Sequence, residues 1–163
     1  MKFTSILLGL AATAVAAPLS KRAVFSQSSY DNLSISGGTA GNAQQEALQK
    51  LGGLPNDLST VEKSDLDFLN SVNQIANDAE TDAFNPAIEA ASGEEADALQ
   101  RGKIKNKVLK LTATILKLEA QKAQGDDVDE KLDEENKKLQ NNIAQDQEAA
   151  GQASTFLSFN AST

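Results

Sequence analysis

The chain has 163 residues, a formal charge of −8, no Cys, no His, no Trp and a single Tyr. Its length fits one domain. The missing residues exclude disulfide frameworks, zinc fingers, cysteine-held iron–sulfur clusters and nucleophiles activated by histidine.

The chain opens with a leader pattern. Met1-Lys2 supplies positive charge, residues 6–17 form an apolar, small-residue run too short to span a bilayer, and Ala14-Val15-Ala16 fits an A-x-A cleavage site. Residues 1–16 therefore read as a secretory signal peptide cut after Ala16, with an N-terminal anchor as the alternative. The dibasic pair Lys21-Arg22 follows. The arrangement resembles the leaders of fungal secretory chains, where such a pair closes a short propeptide; the resemblance makes 17–22 a propeptide and Ala23 the mature start. Trimming leaves 141 residues with 12 basic and 23 acidic side chains, a net charge of −11. That balance argues against nucleic acid and anionic membrane surfaces and favours cationic partners. No later apolar run is long enough for a transmembrane segment. Asn32-Leu33-Ser34 and Asn160-Ala161-Ser162 are sequons, so Asn32 and Asn160 are candidate glycosylation sites in a secreted chain.

Residues 23–38 are rich in Ser, Gly and Asn and read as an extended N-terminal arm, with Tyr30, Leu33 and Ile35 spaced to lie against the body and Gly37-Gly38 marking a turn. Residues 39–163 read as a helical bundle domain. Ala43, Ala47, Leu48 and Leu51 predict a first helix over about 40–51, stopped by Gly52-Gly53 and Pro55. Ser59-Thr60-Val61-Glu62 matches a capping box with Ser59 as the cap. The helix it opens carries Val61, Phe68, Val72, Ile75 and Ala79 on one stripe, widened by Leu69 and Ala76. Asn85-Pro86 breaks the pattern, with Pro86 placed at a helix start. Residues 88–99 are small and acidic, interrupted at Ser92-Gly93.

Ile104, Val108, Leu111, Ile115 and Leu118 then step by helical spacing, and Leu109 and Leu116 add a second apolar line. A helix apolar on two faces touches two neighbours, so this one is expected at the bundle centre. Its polar face carries Lys103, Lys105, Lys107, Lys110, Lys117 and Lys122, expected to complement the acids at 126–135 across the turn at Gly125-Asp126-Asp127, with an exposed basic patch for an anionic cell-wall polymer or a host protein as the alternative. Asp127 is the expected cap of the last helix. Val128, Leu132, Leu139, Ile143, Ala150, Ala153 and Leu157 form its stripe, interrupted by Glu135 and Asp146. Those two acids read either as solvent-reaching carboxylates or as partly buried groups paired with a lysine of the preceding helix. The fold class is all-α, an antiparallel bundle of about four helices with an N-terminal arm.

The chemistry available is narrow. The mature chain has few aromatics to line a sugar cleft, and no carboxylate pair stands out, so no catalytic residues are assigned. The acids Asp126, Asp127, Asp129, Glu130, Asp133, Glu134 and Glu135 lack EF-hand spacing and suit a helix N-terminus, so no metal site and no cofactor is assigned. Gly37, Gly38 and Gly41 read as turn and cap residues rather than an anion loop. The stretch 30–43 (YDNLSISGGTAGNA) resembles the opening of a group of small, cysteine-free secreted proteins of filamentous fungi. A looser similarity is to fungal cell-wall galactomannoproteins that bind hydrophobic surfaces. Both imply secretion, to the medium or the cell wall, rather than a mechanism. The expected function is non-enzymatic interaction at the fungal cell surface or in a host, effector-like; the alternative is a cell-wall protein that is surface-active or holds an apolar ligand. The partner is a protein, a cell-wall polymer or an apolar ligand.

Overall fold

The computed structural model describes residues 23–163; the proposed leader, with Ala16, Lys21 and Arg22, lies outside the described residues. The described fold is mostly helical. One turn, α1 (Tyr30–Leu33), precedes α2 (Ala43–Leu51), α3 (Lys63–Ala79), α4 (Asn85–Ala90), α5 (Glu94–Ala123) and α6 (Asp129–Glu148), and two short strands, β1 (Gly38–Thr39) and β2 (Ala153–Ser154), pair antiparallel with Gly38 opposite Ser154.

Helix α5 is the axis, as its two apolar lines require. Helices α2, α3 and α6 all pack on it. Leu109, Val108 and Leu111 meet Leu69, Val72 and Ile75 of α3 and Leu139 and Ile143 of α6 in one core. The arm residues close this core from the side: Tyr30 is fully buried, and Leu33 and Ile35 nearly so. The Tyr30 hydroxyl donates to Asn106 Oδ1 at 2.9 Å, and Asn106 Nδ2 donates to the Ala76 carbonyl at 2.8 Å, linking arm, α5 and α3. Burial pushes the Tyr30 phenol above its ordinary pKa.

Four local expectations are corrected. Ser59 does not cap α3, because Asp57 accepts both its N–H (3.1 Å) and its hydroxyl (2.6 Å) in a 3₁₀ turn at Leu58–Thr60, and α3 starts after Glu62. Asn85-Pro86 does not break the helix, although Pro86 does sit in the first turn of α4, as expected. A π turn at Glu80–Phe84 runs from α3 straight into α4, with Asn85 N–H donating to the Glu80 carbonyl. Its i→i−5 bonding shifts the ladder just ahead of the residue that lacks an N–H. Asp127 does not cap α6, since Val128 holds that position without a side-chain cap. The last helix stops at Glu148, so Ala150, Ala153 and Leu157 leave its stripe. Gly151 N–H donates to Ala40 O at 3.0 Å and Ala40 N–H to Gln152 O at 2.9 Å, so pairing with the β1 segment takes the backbone groups a further turn would use. Gly41, at φ 113°, makes this crossing feasible, because a Cβ there would sit 2.8 Å from that of Ala150.

The chain after β2 runs back along the body. Thr155 N–H donates to Ala98 O at 3.0 Å, the Phe159 ring meets Tyr30 edge-on at 5.8 Å, and Ser29 and Ser162 form an antiparallel bridge. Asp31 accepts the Ser158 hydroxyl and the Phe159 N–H at 2.9 Å, which together hold its carboxyl below its usual pKa.

Two tight spots govern this end of the molecule. Gly102, in the first third of α5, lets the returning chain press on the helix: a Cβ would land on the Thr155 carbonyl oxygen and 3.1 Å from the Phe84 ring. Lys105 is fully buried, and its ammonium meets Gly37 O at 2.7 Å, Thr39 O at 3.0 Å and Glu46 Oε2 at 2.9 Å. Gly102→Ala is expected to destabilise the fold by about 3 kcal/mol, the upper range for overpacking against backbone, as read by urea denaturation. Lys105→Met is expected to cost about 3 kcal/mol, because it strands two carbonyls and a carboxylate. Equal urea midpoints for either variant and the parent would contradict these assignments.

Candidate functional site

Three polar stripes of helical period face one another where α3 and α6 flank α5. From α3 come Asn70, Asn73, Asn77 and, at the π turn, Glu80, spaced 3, 4, 3. From α5 come Lys107, Lys110, Thr114 and Lys117, again 3, 4, 3. From α6 come Lys131, Glu135, Lys138 and Asn142, spaced 4, 3, 4. Helices α3 and α6 each pack closely on α5 but not on one another. They therefore leave a groove whose floor is α5.

The groove has two adjoining parts that share Asn73 and Glu135; the larger has a volume of about 460 Å³ and includes Asn141 and Leu111. Lys107, Lys110, Lys117, Lys131 and Lys138 line it against two carboxylates, Glu80 and Glu135. A surplus of lysine stands out in a chain of net charge −8.

The side chains are ordered by one another. Lys110 Nζ lies 2.7 Å from Glu80 Oε2, with Lys107 Nζ at 3.9 Å from the other oxygen. Lys117 donates to Asn70 Oδ1 at 2.7 Å, and Asn73 Nδ2 to the Thr114 hydroxyl at 2.7 Å. Lys138 bonds Glu134 and Glu135 of its own helix at 2.7 and 3.0 Å, which raises its pKa. Partial burial, then repulsion from Lys131 on the facing helix, pushes the Lys117 ammonium below its usual value. Among the described residues Lys131 has no ion-pair partner. Asp67 offsets part of that repulsion, and among the described residues neither Lys117 nor Lys131 is tied up in an ion pair, so this end of the groove has two lysines open to an anion.

This arrangement corrects the single lysine face. Lys105 is core, not surface. Lys103 turns to Asn85 at 3.0 Å, and only Lys122 meets the turn acids, pairing with Asp129 at 2.6 Å. Glu135 is half-buried and pairs with Lys138 of its own helix, not with a lysine of α5. Asp146 is buried and likewise takes no lysine. Its Oδ2 accepts the Ala43 N–H at 2.8 Å and so caps α2 from a distance, while its Oδ1 lacks a partner among the described residues. Asn32 and Asn160 are both exposed, on α1 and on the returning chain, far along the sequence from the groove stripes. Among the described residues, no group of three or more Asp or Glu is arranged to hold a metal ion, and no helix is long and apolar enough to cross a membrane.

Fold and groove together define an all-α domain with a polar, lysine-rich cleft between helices. The chain belongs to the family described as a domain of unknown function, DUF8454, whose model matches residues 25–158. No curated protein and no solved structure matches it.

The repulsion across the groove has a measurable consequence. Lys131→Ala is expected to raise the Lys117 pKa toward 10.5, since it removes a like charge that disfavours the ammonium. Side-chain NMR titration reads this directly, and an unchanged Lys117 titration would place Lys131 out of electrostatic reach.

Proposed function

We propose that this protein is secreted and non-enzymatic, that it acts at the fungal cell surface or in a host, and that the groove between α3 and α6 holds an anionic cell-wall polymer. The observation that carries this reading is the concentration of five lysines on one concave face of an acidic chain. Five asparagines interleave with them: Asn70, Asn73, Asn77, Asn141 and Asn142. Amides offer both donors and acceptors, which suits a ligand that carries hydroxyl groups as well as charge. The groove has no aromatic lining, so the ligand is held by charge and hydrogen bonds rather than by ring stacking.

The non-enzymatic part is supported by the groove carboxylates. Glu80 and Glu135 are each engaged in an ion pair, with Lys110 and Lys138, so neither carboxylate stands free in the groove. The resemblance of residues 30–43 to small fungal secreted proteins supports the location, as does the leader pattern. The surface-active alternative draws less support. Among the described residues the exposed large apolar side chains are Val24, Leu48 and Phe156, and the groove itself is polar.

Calorimetric titration of the secreted protein with an anionic polysaccharide, polygalacturonate, and with a neutral glucan tests the reading. Binding is expected for the anionic polymer alone and is expected to weaken as salt rises. The double change Lys117→Gln with Lys131→Gln is expected to lower affinity about five- to tenfold. Equal binding of both polymers, or adsorption only to hydrophobic beads, would overturn it.

A further inference from the structure

Asp65 lies in the first turn of α3 and is only 1% exposed. Its Oδ1 accepts two backbone N–H groups from consecutive residues, Val24 at 2.9 Å and Phe25 at 3.0 Å. The same two residues are fixed from other directions. The Phe25 ring stacks on Phe68, one turn along α3, at 4.6 Å and 15°. Val24 packs over Gly53, where a Cβ would come within 3.0 Å of its Cγ1. Glu62 lines the same hollow beside Asp65. Among the described residues, no lysine or arginine lies within ion-pair distance of either carboxylate. Two N–H groups supply hydrogen bonds to one carboxylate oxygen, but they do not balance a buried negative charge.

A cation is one covalent step away. Ala23 is exposed and immediately precedes Val24, and Lys21-Arg22 precedes Ala23. Hydrolysis of the Arg22–Ala23 peptide bond consumes one water, leaves a carboxylate on Arg22 and frees an α-amine on Ala23, which takes up a proton near neutral pH. Covalent geometry puts that nitrogen about 3 to 4 Å from the Val24 nitrogen already bonded to Asp65. We propose that Asp65 is the seat of a new N-terminus: cleavage after Lys21-Arg22 creates an α-ammonium that pairs with Asp65 and locks the 23–25 segment onto α3. The proposal rests on the processing part of the secretion reading and is independent of what the groove binds. Maturation, on this view, not only removes a leader but also gives Asp65 a cation that no other described residue supplies.

The test uses the full chain, purified uncut and then treated with a dibasic-specific endoprotease. Mass spectrometry checks the cut at Arg22–Ala23, and thermal unfolding is followed before and after. Cleavage is expected to raise Tm by about 4 °C in the parent chain. The rise is expected to vanish in Asp65→Asn and in a chain with Gly-Ser inserted after Arg22, which moves the new amine away while leaving Asp65 intact. Should Asp65→Asn not fold, the insertion decides alone. No rise in the parent, or the same rise in the insertion chain, overturns the seat. Resistance of the Arg22–Ala23 bond to the protease overturns the processing step itself. Neither result bears on polymer binding, which calorimetry reads separately.

Discussion

A lysine with no exposed surface holds one end of this bundle together. Taking an ammonium out of water costs several kcal/mol unless its donors are all used. Lys105 uses its three donors on Gly37 O, Thr39 O and Glu46. Each acceptor belongs to a different piece of the fold: the arm's turn, β1 and α2. The bond to Thr39 holds the strand that pairs with β2, and that pairing ends α6 and sends the chain back across Gly102. Asp146 contributes from the other side by accepting the Ala43 N–H at the start of α2. This end is therefore assembled by polar groups reaching from α5 and α6 to backbone, while the aliphatic core supplies the bulk of the burial.

The groove follows from the length of α5. A 30-residue helix has room for neighbours on both sides, and α3 and α6 take those sides, packing mainly on α5 rather than on one another. None of the five groove lysines is buried, and a solvated position is where charge is least costly. The π turn brings Glu80 into this geometry. It continues the α3 stripe past Asn77, so that one carboxylate is shared by Lys107 and Lys110. The lysines nearer the other end of α5, Lys117 and the facing Lys131, line the groove with Glu135 but form no ion pair with it.

Both ends of the described chain are tied down, by different means. Residues 28–31 pair with 158–163 through backbone bonds, the Asp31 carboxylate and the Tyr30–Phe159 ring contact. Residues 24–25 are held by Asp65 and the Phe68 ring. The family match begins at residue 25, within this tethered segment, and ends at 158, where the returning chain reaches Asp31. The matched region thus contains the core and all three groove stripes.

Periodicity alone determined the class of fold. The apolar stripes of α2, α3 and α5, the stop at Gly52-Gly53, the turn between α5 and α6 and the central place of α5 were all legible, because apolar spacing reports directly which faces a helix must cover. The groove was legible in principle too. The 3, 4, 3 steps of Asn70–Asn73–Asn77–Glu80 and of Lys107–Lys110–Thr114–Lys117 mark two polar faces, but a polar stripe does not say what it faces. Tertiary structure decided the rest. Lys105 and Lys107 look alike in sequence, yet one is core and the other lines the groove, because only the path of residues 37–39 covers the first. Ala150, Ala153 and Leu157 keep helical spacing, yet the β1 segment, more than 110 residues earlier, pairs with residues 151–154 and turns the chain out of the helix. Ser59 lost its cap to Asp57, and Pro86 was absorbed by a π turn. In each case the outcome turned on a competing hydrogen-bond partner, and those partners are set by how the chain packs rather than by local spacing.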